Sequence, residues 1–207
     1  MGNILYLISF WKKSERGRGI LNMPALTPVQ YNTVHNKMEK IVDKVFLKEL
    51  RKAGEEEATI DQEKGDVDST GTPYITVIAD GAWSKRSYKT NYNALSGLAV
   101  IIGKATKKVL FMGVKNKFCI IGLKFETKNE DTPQHQCAKN WKGSSTSMES
   151  AIILDGFQRS VEMHGLKYTM LVGDGDSSKT KKLSSHKPYG ATPIQKIECV
   201  PFTKEFL

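Results

Sequence analysis

Tyr74-Ile-Thr-Val-Ile-Ala-Asp80-Gly-Ala-Trp83 is a run of β-branched and apolar residues that ends in an aspartate and a glycine. It predicts a buried strand that delivers a carboxylate to its exit edge. Later in the chain, Lys167-Tyr-Thr-Met-Leu-Val172-Gly-Asp174-Gly-Asp176 repeats the pattern. Core strands have no need of an acid there, whereas an open sheet binds ligands at the carboxyl ends of its strands. Two strand-terminal aspartates suit Mg²⁺, which takes oxygen ligands and leaves positions for phosphate and water.

The segments around these strands set the fold class. Thr27 fits an N-cap, Pro28 the first helical position, and Gln30 completes a capping-box spacing. Val34, Met38, Ile41, Val42, Val45, Phe46 and Leu50 form a helical stripe that predicts packing against the rest of the domain, and Gly54 offers a stop. Between Glu55 and Asp68 stand seven acidic residues and one lysine without apolar periodicity, the signature of a solvated linker. After Gly71-Thr-Pro73 come predicted strands at Tyr74–Ala79, Leu95–Ile102 and Lys108–Val114, the last two joined by a turn at Gly103–Thr106. Residues 122–142 are polar, basic and irregular. A helix over Met148–His164, closed by Gly165, leads to a strand at Lys167–Val172. Ser177–Pro188 reads as a Ser/Lys-rich tail, and one more element starts within Ile194–Val200.

The expected organisation is thus a disordered leader at 1–25, an amphipathic helix at 26–54, an acidic linker at 55–72, an α/β domain at 73–200 and a short tail at 201–207. Three antiparallel strands, a helix and a parallel return strand describe a mixed sheet, in the order of the first part of a ribonuclease-H-like domain.

Charge narrows the partners. Lys plus Arg number 31 against 22 Asp plus Glu, a net charge of +9, which favours polyanions and nucleic acid first. A lysine-rich soluble surface accounts for the balance equally well. The three cysteines, Cys119, Cys137 and Cys199, are odd in number and widely spaced, which points to a reducing compartment. The apolar run near Met1 is too short to span a bilayer, and Lys12 and Lys13 follow it instead of preceding it. Gly2 invites myristoylation, but Tyr6 stands where Ser or Thr belongs. No membrane partner is expected, and nothing suggests a small-molecule substrate.

Three constellations carry chemistry. Asp80, Glu149, Asp174 and Asp176 form an acidic set suited to divalent ions. Each has a plainer reading: a turn for Asp174 and Asp176, a capping box with Thr146 for Glu149, and a cap on the turn at Gly81 for Asp80. Cys119, His135 and Cys137 offer zinc three ligands, but Gly122 stands where a C-x₂-C knuckle would place another cysteine. Their plainer reading is a buried thiol beside a loop histidine. Trp83, Lys85, Arg86, Tyr88 and Lys89, then Lys104, Lys107, Lys108, Lys115 and Lys117, and Trp141-Lys142, form a basic and aromatic surround suited to phosphates and exposed bases. Core packing is the plainer reading for each aromatic taken singly.

Seven motifs occur in a fixed order: Asp80-Gly-Ala-Trp83-Ser-Lys85-Arg86, Asn93-Ala-Leu-Ser-Gly97, Lys117-Phe-Cys119, Asn140-Trp-Lys-Gly143-Ser-Ser-Thr-Ser-Met148-Glu149, Gly173-Asp174-Gly-Asp176-Ser177, Lys187-Pro-Tyr-Gly190 and Ile197-Glu-Cys199. From about Thr27 to Val200 the chain resembles the Mutator-like transposase domain of animal transposon-derived proteins. The resemblance implies a ribonuclease-H-like core with a DDE acidic triad and Mg²⁺ or Mn²⁺. It also implies DNA as partner, self-association and a nuclear location. Asp80 would be the first acid and Asp174 the second, with Asp176 as the alternative. Such enzymes hydrolyse a strand at a transposon end and join the 3′-hydroxyl to target DNA.

Family members continue past the Glu-Cys position into a helical half that brings the third acid, so the resemblance implies a truncated, inactive relative. Glu149 is the substitute ligand, in the manner of the helix glutamate of ribonuclease H. The family's cysteine knuckle is interrupted at Gly122, and Zn²⁺ at Cys119, His135 and Cys137 remains a second metal expectation. The alternatives are a domesticated nucleic-acid- or protein-binding module without catalysis, and a non-functional remnant.

Overall fold

The computed structural model describes residues 27–84, 94–135, 137–173 and 177–198. The first helix, α1 (Pro28–Lys64), starts as its sequence predicts. The backbone N–H of Thr27 donates to Gln30 Oε1 at 2.9 Å, and the N–H of Gln30 donates to Thr27 Oγ1 at 3.3 Å, a reciprocal cap that satisfies two N-terminal donors. The chain divides into two compact units after Glu49. In the first, Val34, Met38, Ile41, Val42 and Val45 of the apolar stripe are each more than half exposed.

In the second unit, α1 runs on through Gly54, where a stop is predicted, and covers the acidic stretch to Lys64. Gly54 is a packing residue rather than a terminator, because a Cβ there would strike the His164 ring. The acidic stretch is partly anchored as well. Glu57 is buried, with Oε1 accepting from the backbone N–H and the hydroxyl of Thr106, both at 2.7 Å. Asp61 is also buried and pairs with Lys64 at 2.7 Å. Residues 55–64 are therefore helix instead of linker, a difference set by partners remote in sequence. Beyond the helix, Asp68 closes a turn. It accepts from the N–H of Thr70 and of Thr72, and it meets Lys167 Nζ at 2.6 Å.

The sheet is the predicted mixed α/β one. Its strands are β1 (Tyr74–Trp83), β2 (Ser96–Gly103), β3 (Val109–Asn116), β4 (Lys167–Gly173) and β5 (Gln195–Glu198), in spatial order β3-β2-β1-β4-β5. β2 runs antiparallel to both β1 and β3, while β4 runs parallel to β1 and to β5. This topology is compatible with a ribonuclease-H-like fold. Between β3 and β4 lie α2 (Ile120–Glu126), which runs into the stretch 122–142 read as irregular, and α3 (Thr146–His164). The Ser/Lys-rich segment is a further helix, α4 (Ser177–His186), which packs against α3.

Alternation decides the core. Ile75, Val77 and Ala79 of β1, Ala99 and Ile101 of β2, and Leu110 and Phe111 of β3 are buried with Ile152, Ile153 and Phe157 of α3. Close packing of α3 on the sheet relies on Gly156, where a Cβ would lie 2.5 Å from Ile101 Cδ1 and 2.6 Å from Phe111 Cδ1. Ser160 Oγ donates to the Leu166 carbonyl at 2.8 Å and shares a 2.7 Å hydrogen bond with Tyr189, whose hydroxyl accepts from the N–H of Tyr168 at 3.1 Å. This network fastens the chain after α4 to the start of β4.

Candidate metal and nucleic-acid site

Strand pairing places Asp80. β1 stays paired with β2 as far as Trp83↔Gly97, but its parallel register with β4 stops at Ile78↔Val172. Asp80 thus lies just past the end of its parallel neighbour, while β1 itself, predicted to stop at Ala79, continues to Trp83 on its pairing with β2. Its carboxylate is exposed, and Oδ1 accepts from the N–H of Gly81 at 2.8 Å. β4 ends at Gly173, directly before Asp174. Asp174 and Asp176 themselves lie outside the described residues, as do Lys85, Arg86 and Lys89.

Glu149 reaches the neighbourhood of Asp80 from the first turn of α3. It is not half of a capping box: the N-cap is Ser145, which makes no side-chain cap bond and instead donates Oγ to the Ala94 carbonyl at 2.8 Å. The Glu149 carboxylate lies against Gly81, the residue after Asp80, so closely that any Cβ there would run into its Cγ, Cδ and Oε1. Its Oε1 meets Lys179 Nζ of α4 at 2.5 Å. The side chains of Lys179 and Glu149 are only 4% and 14% exposed. Spacing gives no hint of Lys179, because α4 carries no apolar period that announces a helix.

A second cluster forms where Cys119 caps α2. The ligand atoms of Cys119, His135 and Cys137 all lie within 4.8 Å of one another. Cys119 Sγ is 3.1 Å from His135 Nε2, and His135 Nδ1 is 2.8 Å from the Pro133 carbonyl. Nδ1 therefore carries the proton to Pro133, and Nε2 turns its lone pair toward the thiols. The N–H of Gly122 donates to Cys119 Sγ at 3.3 Å, so backbone stands where a knuckle would offer another ligand. That N–H, with His135 next, draws the Cys119 thiol down to about 7. The Pro133 carbonyl and then Cys119 raise His135 above its ordinary value. Paired asparagines hold the loop in place: Asn116 N–H donates to Asn140 Oδ1 at 2.6 Å, and Asn140 Nδ2 donates to the Val114 carbonyl at 3.0 Å.

Both clusters lie within residues 16–204, the span matched by the family model described as Mutator-like transposase. The chain belongs to the Mutator-like transposase family. The match extends beyond Thr27–Val200 at each end, into the stretches read from sequence as leader and tail. No curated protein and no solved structure matches the chain. Among the described residues of this transposase-family chain, no helix is long and apolar enough to cross a membrane.

Its basic and aromatic surround is only partly assembled within the described residues. Trp141 has Lys115 Nζ at 5.7 Å and Lys182 Nζ at 5.9 Å from its ring centroid, within the range of cation–π attraction. Lys182 joins this group from α4, and its place in a Ser/Lys-rich run conceals it from sequence reading. Trp83 is half-buried and lies across Gly97, where a Cβ would sit 3.2 Å from its ring.

Proposed function

We propose that this Mutator-like transposase binds DNA and holds Mg²⁺ or Mn²⁺ beside Asp80, at the edge where β4 ends. Asp80 and Glu149 would be ligands, with Asp174, or Asp176 in its place, completing the set. The observation that carries this reading is the cradle at Gly81. The Glu149 carboxylate, from a remote segment, packs against the residue next to Asp80, and it already attracts a cation. An all-oxygen donor set of this kind fits a hard divalent ion. When bound, such an ion supplies Lewis-acid polarisation of a phosphodiester and lowers the pKa of a coordinated water.

The chain's own residues position the acids. The β1–β2 ladder and the Gly81 N–H fix Asp80, and the packing of α3 fixes Glu149. Lys115, Lys182 and Trp141 would contact phosphates and bases, and Trp83, Lys85, Arg86 and Lys89 are proposed to extend that surface. With Asp80 and Glu149 as ligands, the proposed activity is metal-dependent nicking of DNA. Supercoiled plasmid incubated with the protein and Mn²⁺ should become nicked, and Asp80→Ala and Glu149→Gln should abolish this. DNA binding that persists without any nicking would leave the non-catalytic module as the function. The proposed place of action is the nucleus, and self-association is proposed with it. A tagged chain excluded from nuclei, or a monomer in sedimentation with and without DNA, would count against these.

A second metal is proposed at Cys119, His135 and Cys137, because convergent sulfur and imidazole donors suit Zn²⁺. Gly122 provides no side-chain ligand, so water would complete the tetrahedron. Purified protein should contain about one zinc per chain by elemental analysis. Metal content unchanged in Cys119→Ser would show the zinc to be bound elsewhere.

A further inference from the structure

We infer that Lys179 is an internal counter-ion of the acidic edge: its ammonium occupies the metal's place at Glu149 and must withdraw for the ion to bind. The inference rests on the reading of Asp80 and Glu149 as metal ligands. In ion pairs among the described residues, the cations Lys64, Lys108 and Lys167 have side chains 54%, 49% and 22% exposed, whereas that of Lys179 is 4% exposed. Burying an ammonium is costly, and a buried pair is seldom more stable than an apolar replacement of similar volume. The cost is instead placed at the carboxylate that packs against the residue after Asp80. Lys179 also rides on α4, which packs against α3, the helix that carries Glu149.

A divalent ion and an ammonium on the same carboxylate repel each other strongly at contact distance. The two are therefore alternative occupants of Glu149. Without metal, Lys179 neutralises the carboxylate and keeps it seated against Gly81. With metal, the ammonium moves away.

Titration of the full chain with Mn²⁺, read by electron paramagnetic resonance, tests this directly. Lys179→Met preserves side-chain bulk and removes the charge, and it should bind Mn²⁺ about tenfold or more tightly than the unaltered chain. Adding Glu149→Gln in that background should cancel the gain. Equal affinity for the unaltered chain and Lys179→Met would overturn the counter-ion and leave the metal site standing. No Mn²⁺ binding by either protein would overturn both readings. Should Lys179→Met fail to fold, amine acetylation of the unaltered chain gives the same answer. Lys179 should be protected without metal and labelled faster with Mn²⁺, and protection unaffected by saturating Mn²⁺ would refute the inference.

Discussion

His164 ends α3 with Nε2 2.9 Å from the Leu110 carbonyl and Nδ1 buried without a partner. Burial, assisted by the charge of Arg51, pulls its pKa below the ordinary histidine value. The unfolded chain then takes up the proton more readily than the folded one. The stability this group confers is complete above about pH 6.5 and is lost as pH falls from there through the folded-state pKa. The melting temperature should drop between about pH 8 and pH 5, and His164→Asn should flatten that slope. Asp68 works in a lower window. Lys167, then Thr70 and the Thr72 N–H, hold its carboxyl well below the usual range. Its contribution is complete above about pH 4 and disappears only as pH falls further. Asp68→Asn should lower stability at neutral pH while reducing the acid-induced loss, both measurable by urea midpoints across pH. Asp80 was legible at this scale because a strand that ends in an acid is anomalous on its face. Glu149 was ambiguous, since spacing to Thr146 fits a cap equally well and only the fold shows that the N-cap is Ser145.

Glycines at close contacts control how the elements meet. A methyl group at Gly156 would press on Ile101 and Phe111, and overpacking of this kind costs about 1–3 kcal/mol. Gly156→Ala should therefore lower the urea midpoint without changing the fold seen by circular dichroism. Gly81→Ala should act differently, because it displaces the Glu149 carboxylate at an edge instead of the core. Mn²⁺ affinity should fall while the melting temperature stays near that of the unaltered chain. Equal losses from both substitutions would argue against a dedicated site at Gly81. The strands of the sheet were readable from sequence because period-two alternation and turn residues act locally. α1 beyond Gly54 and α4 were not. Their helices depend on contacts with Thr106, His164 and α3, and no local pattern encodes those partners.

Across the whole molecule, the excess of nine positive charges should make DNA binding fall steeply with salt, through release of counterions from phosphates. Replacing Lys115 and Lys182 together by alanine should reduce the slope of log affinity against log salt by about two, each lysine accounting for roughly one phosphate contact. An unchanged slope would remove the Trp141 cluster from the DNA surface. Sequence alone determined the mixed α/β class, the family, the acid at the end of the first strand and the residues of the thiol–imidazole cluster, because composition, alternation and motif order are properties of the chain itself. Tertiary structure decided that Glu149 packs against Gly81, that a lysine from a segment read as tail pairs with it, and that Gly122 offers Cys119 a backbone N–H. Those facts depend on where α2, α3 and α4 pack, and packing brings together residues whose separation along the chain carries no signal.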